Sequence, residues 1–100
     1  MTLNGNQMLD QMAAEQQKAQ RLMATGLVGH AVITGVRDTG STINENPVVE
    51  FDLRVALEGH PPYAVTHRQV VSRLVVGNFA PGATVPVRVD PGNAGEVMIA

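Results

Sequence analysis

The spacing of apolar residues changes from a helical period to alternation near Gly26. Residues 6–25 are mostly good helix formers, and their apolar side chains recur along one stripe. That stripe contains Leu9, Met12, Ala19, Leu22 and Met23. Because the stripe is narrow and the rest of the segment is polar, such a helix needs another surface to pack on. The pattern predicts a helical arm over residues 1–25, ended by Gly26 in a left-handed conformation.

The remaining residues, 26–100, alternate between apolar and polar and carry turn residues at short intervals. The clearest strand is 49–57, where apolar positions alternate with Glu50, Asp52 and Arg54. Strands are predicted over 27–37, 49–57, 63–71, 85–89 and 96–99. Turns are predicted over 38–41 and 44–47, among others. Pro86 has no amide hydrogen to donate, so we expect the fourth strand to lie at a sheet edge or to bulge there.

Five short strands at this spacing favour a mainly β fold. We expect either a five-stranded small barrel of the size of OB or SH3-like domains or a strongly curled antiparallel sheet, preceded by one amphipathic α-helix. The chain has 100 residues, of which 44% are hydrophobic and 16% are charged, which is typical of one globular domain. It has no cysteine, which excludes disulfides, thiolate metal sites and thiol nucleophiles.

Charge and targeting patterns narrow the expected partners. The net charge of −2 argues against a mainly electrostatic grip on nucleic acid or anionic lipid. No apolar run approaches the roughly 18 residues of a membrane-spanning helix. The first positive side chain is Lys18, so no secretory signal is expected from the pattern of the first residues. We therefore expect a cytoplasmic protein that does not bind membranes.

An ordered series of short motifs runs through residues 26–99. It comprises Gly29-His30-Ala31, Val36-Arg37-Asp38-Thr39-Gly40, Pro47, Phe51-Asp52-Leu53-Arg54-Val55, Pro62-Tyr63, and Pro81-Gly82 with Val85-Pro86-Val87-Arg88-Val89-Asp90-Pro91. The series resembles a family of uncharacterised small β-domains common in actinobacteria, which closes with a V-x-V-x-V-D-P strand. The resemblance implies a fold of this kind, and it implies no activity, cofactor or catalytic residue.

Candidate chemistry is sparse. His30, His60 and His67 lack the short spacing of a metal-ligand set, so no metal site is predicted. Glu50 and Asp52 share one strand face and are candidates for acid–base catalysis, but no nucleophile or buried base accompanies them. A solvated strand face is the better interpretation. The sequence predicts no catalytic residue and no cofactor, and so no enzyme.

Nucleic-acid binding is kept as an alternative function. A small barrel could use surface arginines and one aromatic platform for this purpose. The candidates are Arg37, Arg54, Tyr63, Arg68 and Arg88. Residues 26–100 carry five arginines against seven acidic residues, so the local charge disfavours nucleic-acid binding.

The helical arm is the feature that most needs a partner. It could fold back onto its own sheet, or it could mediate contact between subunits. Self-association is favoured, since small domains gain stability from oligomerisation. The sequence predicts a non-enzymatic oligomeric interaction module, joined through the apolar stripe of the arm and through an exposed strand edge at Pro86.

Overall fold

A computed structural model describes the secondary structure of residues 5–100 and the side chains of residues 14 and 16–100. Within these residues the chain forms one α-helix and five strands, which pair as one antiparallel sheet in the order β3-β2-β1-β4-β5. The elements are α1 (Gly5–Thr25), β1 (Leu27–Ile43), β2 (Asn46–Leu57), β3 (Tyr63–Val70), β4 (Thr84–Asp90) and β5 (Asn93–Ile99), with a short 3₁₀ helix at Val76–Asn78. The predicted mainly β fold with one helix is confirmed.

The β1–β2 hairpin is longer than the sequence pattern predicts. Asn44 and Glu45 both have positive φ, 50° and 67°, as the two central residues of a tight hairpin turn require. The predicted turn over 38–41 is wrong, because β1 continues through it. An irregularity in pairing between Asp38 and Thr42, with Gly40 at φ 80°, accommodates these turn-forming residues inside the strand.

Pro86 does not mark a sheet edge, because β4 lies between β1 and β5. The Pro86 carbonyl accepts a hydrogen bond from the amide of Ala100, the residue that follows β5. In an antiparallel pair the N–H and C=O of one residue point to the same neighbour. The side on which proline lacks a donor therefore faces Ala100, one residue past the last paired position of β5, where little pairing is lost. The predicted edge at this strand is wrong for that reason.

The core lies on the inner face of the curled sheet. Alternate residues of β2 point into it, and Phe51 and Val55 are completely buried. The ring of Phe79, from the loop before β4, meets the ring of Phe51 edge-on, with centroids 6.0 Å apart. The loop therefore covers the core through Phe79, whereas its neighbour Leu74 is 95% exposed.

The two edge strands, β3 and β5, are joined by side chains. The Tyr63 hydroxyl donates to the Ala94 carbonyl at 2.8 Å. The Gln69 amide accepts from the Ile99 N–H at 3.0 Å and donates to the Ile99 carbonyl at 3.3 Å. No ladder between β3 and β5 occurs among the strand pairings of residues 5–100. The sheet curls until its edges touch, and the closed-barrel form of the prediction is not confirmed.

The end of α1 packs on the outer face of β4 and β5. Leu22 is fully buried, and Arg21 pairs with Glu96 and lies 3.6 Å from an Asp90 oxygen. Gly26 does not have the predicted left-handed conformation. It is needed for close approach, since an added Cβ would lie 2.4 Å from the Leu22 carbonyl oxygen. In the described part of the chain, no helix has the length and apolar character needed to cross a membrane.

Candidate functional site

Charged side chains form a cluster on the outer face of β1, β2 and β3. Arg37 binds Asp52 with both terminal nitrogens, at 2.8 and 2.9 Å, and also contacts Glu50 at 3.3 Å. Arg68 reaches the other Glu50 oxygen at 3.4 Å, and the Thr66 hydroxyl donates to Asp52 at 3.2 Å. Pairing of Arg37 with Glu50 and of Gly35 with Asp52 sets this arrangement. Glycine at position 35 leaves room for the Asp52 carboxylate, since a Cβ there would lie 2.7 Å from an Asp52 oxygen and would displace it.

This cluster holds Asp52 in its charged form. The hydrogen bonds that the Arg37 guanidinium donates to the Asp52 carboxylate lower the pKa of Asp52, and the same bonds raise the pKa of Arg37. Acid–base catalysis by two carboxylates needs environments that push their pKa values apart, so that one stays protonated near neutral pH. Here Glu50 and Asp52 share one arginine instead. The geometry favours an ion-pair network that orients three strands.

The same contacts predict a loss of stability in acid. The folded pKa of Asp52 is below its ordinary value of 3.8, so its contribution is complete above that value and disappears as the pH falls through the folded pKa. The wild-type chain should therefore lose more stability than Asp52→Asn between about pH 6 and pH 2, measured by urea unfolding.

Glu45→Gln is the matched control for that prediction. The Glu45 side chain is exposed and has no ion pair among the described residues, so its removal should leave the acid dependence as in the wild type. Equal acid sensitivity of the Asp52→Asn variant and the wild type would contradict the role given to the Arg37–Asp52 pair.

The residues proposed for nucleic-acid contact do not form a free basic face. Arg37 and Arg68 are paired with acids, and Arg88 donates to the Met23 carbonyl at 3.4 Å. Tyr63 is half-buried, and this burial raises the pKa of its phenol. Arg54 is exposed and makes no ion pair or hydrogen bond with the described residues. Contacts with the sheet or with α1 thus engage four of the five candidates.

The arm residues proposed for subunit contact have different surroundings. The side chains of Leu9 and Met12 lie outside the described residues. Leu22 is buried within its own chain, and Ala19 is half-buried beside a cleft described below. Met23 is 50% exposed. Among the described members of the stripe, Met23 is therefore the one that offers a large apolar surface.

Apolar side chains also occupy the exposed outer face of the central strand. Val28 is 66% exposed and Val32 is 38% exposed, although β1 lies in the middle of the sheet. Between them His30 pairs with Ala56 on β2 and with Pro86 on β4, and both neighbours are exposed. Arg88, the strand partner of Val28, contacts the Met23 backbone and so places Met23 beside them. We call this surface the outer patch: Met23, Val28, Val32, Ala56 and Pro86.

Alternation of apolar and polar residues predicts which face of a strand is buried, but it does not reveal an apolar patch on the opposite face. For this reason the outer patch was not found from the sequence. On β1 both faces carry valines, and their packing depends on what covers the sheet. The helix covers β4 and β5 and leaves the centre open. The available signal was a pair of outward valines, Val28 and Val32, on either side of His30 in a strand of small residues.

The three histidines are separated in the fold. His30 is exposed on the outer face and His60 is exposed in the turn after β2, whereas His67 is buried with Nε2 2.8 Å from Gln69 Oε1. In the part of the chain that the structure describes, no three metal-binding side chains come together.

A cleft of about 320 Å³ lies between α1, the β1–β2 turn and β3. Lys18 and Ala19 line it from the helix, and Ile43 and Val70 line it from the sheet. The buried His67–Gln69 pair and Met98 complete it. Sequence reasoning missed this site, because the segments that form it are far apart along the chain.

Comparison with known proteins adds no family or relative: no protein-family model matches the chain, and no curated protein or solved structure matches it either. The resemblance to small actinobacterial β-domains stays a prediction from the motifs of residues 26–99. The candidate sites therefore rest on geometry and charge.

Proposed function

We propose that the protein is a non-enzymatic interaction module that self-associates through the outer patch. The observation that carries this proposal is the exposure of Val28 and Val32 on the central strand of the sheet. Apolar side chains at a sheet centre gain free energy when a second surface covers them. The occupant we assign to the patch is a second copy of the same chain.

Charge complementarity supports a second copy. Arg54 and Ala56 are outward positions of β2, and Glu58 continues the same row at the first residue of the following turn. A two-fold axis near Ala56 would bring Arg54 of one copy opposite Glu58 of the other. Neither side chain has an ion pair among the described residues, so both are available for this contact.

The proposed contact differs from the one expected from sequence. Leu22 is occupied within the chain, and β4 offers no free edge. The true edges, β3 and β5, are bridged through Gln69 and Tyr63. Met23 keeps a role, since it extends the outer patch with the last turn of the arm.

Val28→Lys combined with Val32→Lys should convert the assembly to monomers. We expect light scattering on the wild-type chain to give twice the 10.6 kDa chain mass over a range of concentrations, and the double variant to give the chain mass. Two buried lysines at the centre of an apolar contact would each leave an unpaired charge. Leu74→Lys is the matched control, because Leu74 is 95% exposed but lies outside the patch.

Charge reversal tests the orientation. Arg54→Glu or Glu58→Arg alone should weaken association, and the two together should restore it, because the complementary pair is then rebuilt with opposite polarity. A wild-type monomer at all concentrations would refute self-association. A wild-type dimer that is unaffected by the lysine substitutions would refute the outer patch as its interface.

A further inference from the structure

We infer that the cleft between α1 and β3 binds a small carboxylate with an apolar body, of the kind represented by a medium-chain fatty acid. This inference does not depend on the proposed self-association, since none of the residues that line the cleft belongs to the outer patch. It rests on the charge of the cleft, on the state of its polar floor and on its size.

The described residues that line the cleft contribute a positive charge. Lys18 is the one charged residue among the described residues that line it, and no acid pairs with Lys18 in the described part of the chain. Arg73 brings a second cation to the neighbouring turn, where its guanidinium donates to the Glu45 carbonyl. The Glu45 side chain is exposed and does not line the cleft. An anionic head group near Lys18 would be matched in charge.

The floor of the cleft is polar but already bonded. The Gln69 amide exchanges two hydrogen bonds with the Ile99 backbone, and its oxygen also lies 2.8 Å from His67 Nε2. Since these polar groups have partners, an apolar ligand body can cover them without leaving them unsatisfied. Ile43, Val70 and Met98 supply apolar walls for that body.

The size suits a small ligand. A volume of about 320 Å³ falls at the lower end of the range of small-molecule sites, roughly 300–1,000 Å³. Together the apolar walls and Lys18, the one cation among the described lining residues, favour an amphiphilic monocarboxylate. A multiply charged phosphate ester would lack further cations among the lining residues.

The test is a titration of the full chain with octanoate, followed by two-dimensional NMR of the backbone amides. We expect saturable shifts at Lys18, Ile43 and Val70, with octanol bound about tenfold or more weakly and octylammonium not bound. Lys18→Glu should weaken octanoate binding by about tenfold or more, and Lys18→Arg should keep it. Arg54→Glu reverses a charge outside the cleft and should leave binding unchanged.

A second variant fills the space itself. Ala19→Phe places a ring where the helix borders the cleft and should abolish octanoate binding while the thermal unfolding midpoint stays close to that of the wild type. Octanol binding as tightly as octanoate would overturn the role of Lys18. Absence of saturable shifts at the cleft, or equal binding of octylammonium, would overturn the site. A variant that changes the oligomeric state but leaves the octanoate affinity unchanged would show that the cleft binds its ligand independently of self-association.

Discussion

Phe51→Ala should lower the free energy of unfolding by about 3–5 kcal/mol, as expected for a buried phenylalanine. Phe51 has no exposed surface and stands at the centre of the longest buried row of β2, against the ring of Phe79. The variant loses both the transfer free energy of the ring and the contacts around the resulting cavity. Since small domains are stable by only about 5–15 kcal/mol, this loss should bring the chain close to unfolding.

Urea unfolding of Phe51→Ala and of Phe79→Ala measures the loss of stability from each ring. Phe79→Ala is the comparison, because Phe79 is only half-buried and lies in a loop, so its cost should be smaller. The double variant should show a coupling of about 0.5–1.5 kcal/mol from the edge-on ring contact. A loss below about 1.5 kcal/mol for Phe51→Ala would contradict its central place in the core.

Gln69→Leu should lower the free energy of unfolding by about 2–4 kcal/mol, from roughly 1–3 kcal/mol for each polar group left without its partner. The variant keeps an apolar side chain of similar size, but the Ile99 N–H and carbonyl lose their bonds to Gln69, and His67 loses a neighbour at 2.8 Å. These bonds join the two edge strands of the sheet. Their removal should open the junction between β3 and β5.

Hydrogen exchange at the Ile99 amide gives a direct measurement of that opening. Exchange should become faster in Gln69→Leu, and the unfolding midpoint should fall. Gln20→Leu is the matched control, since Gln20 is exposed on α1 and the same change should have little effect. Unchanged protection of Ile99 would contradict the view that Gln69 holds the edges together.

The outer patch and the cleft lie on different parts of the molecule. The outer patch lies on the central strand, whereas the cleft lies where α1 crosses toward β3. Both exist because α1 covers only part of the outer face, through Leu22 and the Arg21 ion pairs. The position of one helix thus determines which apolar surface stays open and where a cleft forms.

The local pattern of apolar and polar residues predicted much of the fold. Alternation in β2 identified the buried row from Val49 to Val55, and the helix-forming composition of the arm identified α1. Gly29 and Gly35 of β1 lie where a Cβ would collide with a neighbour directly opposite on β2. These features follow from sequence because they depend on residues that are near in the chain or directly opposite in a hairpin.

The alternation of apolar and polar residues did not predict the order of the strands in the sheet. Proline in β4 suggested an edge, but the sheet places Pro86 beside the end of β5, where a missing donor costs little. Residues 38–41 suggested a turn, but the tight turn at Asn44 and Glu45 sets the register. The earlier residues lie instead in an irregular stretch of β1. Each error arose where a long-range pairing overrode a local preference.

The sequence by itself determined that this chain forms a helix followed by an alternating β domain, which row of β2 is buried, and that charged residues line its other face. Only the tertiary structure decided that Arg37, Glu50, Asp52 and Arg68 pair with one another, that Leu22 packs on its own sheet, and that Lys18 borders a cleft. The physical reason is that hydrophobic periodicity depends on neighbours along the chain. Ion pairs, uncovered faces and clefts depend instead on which distant strands and helices the fold brings together.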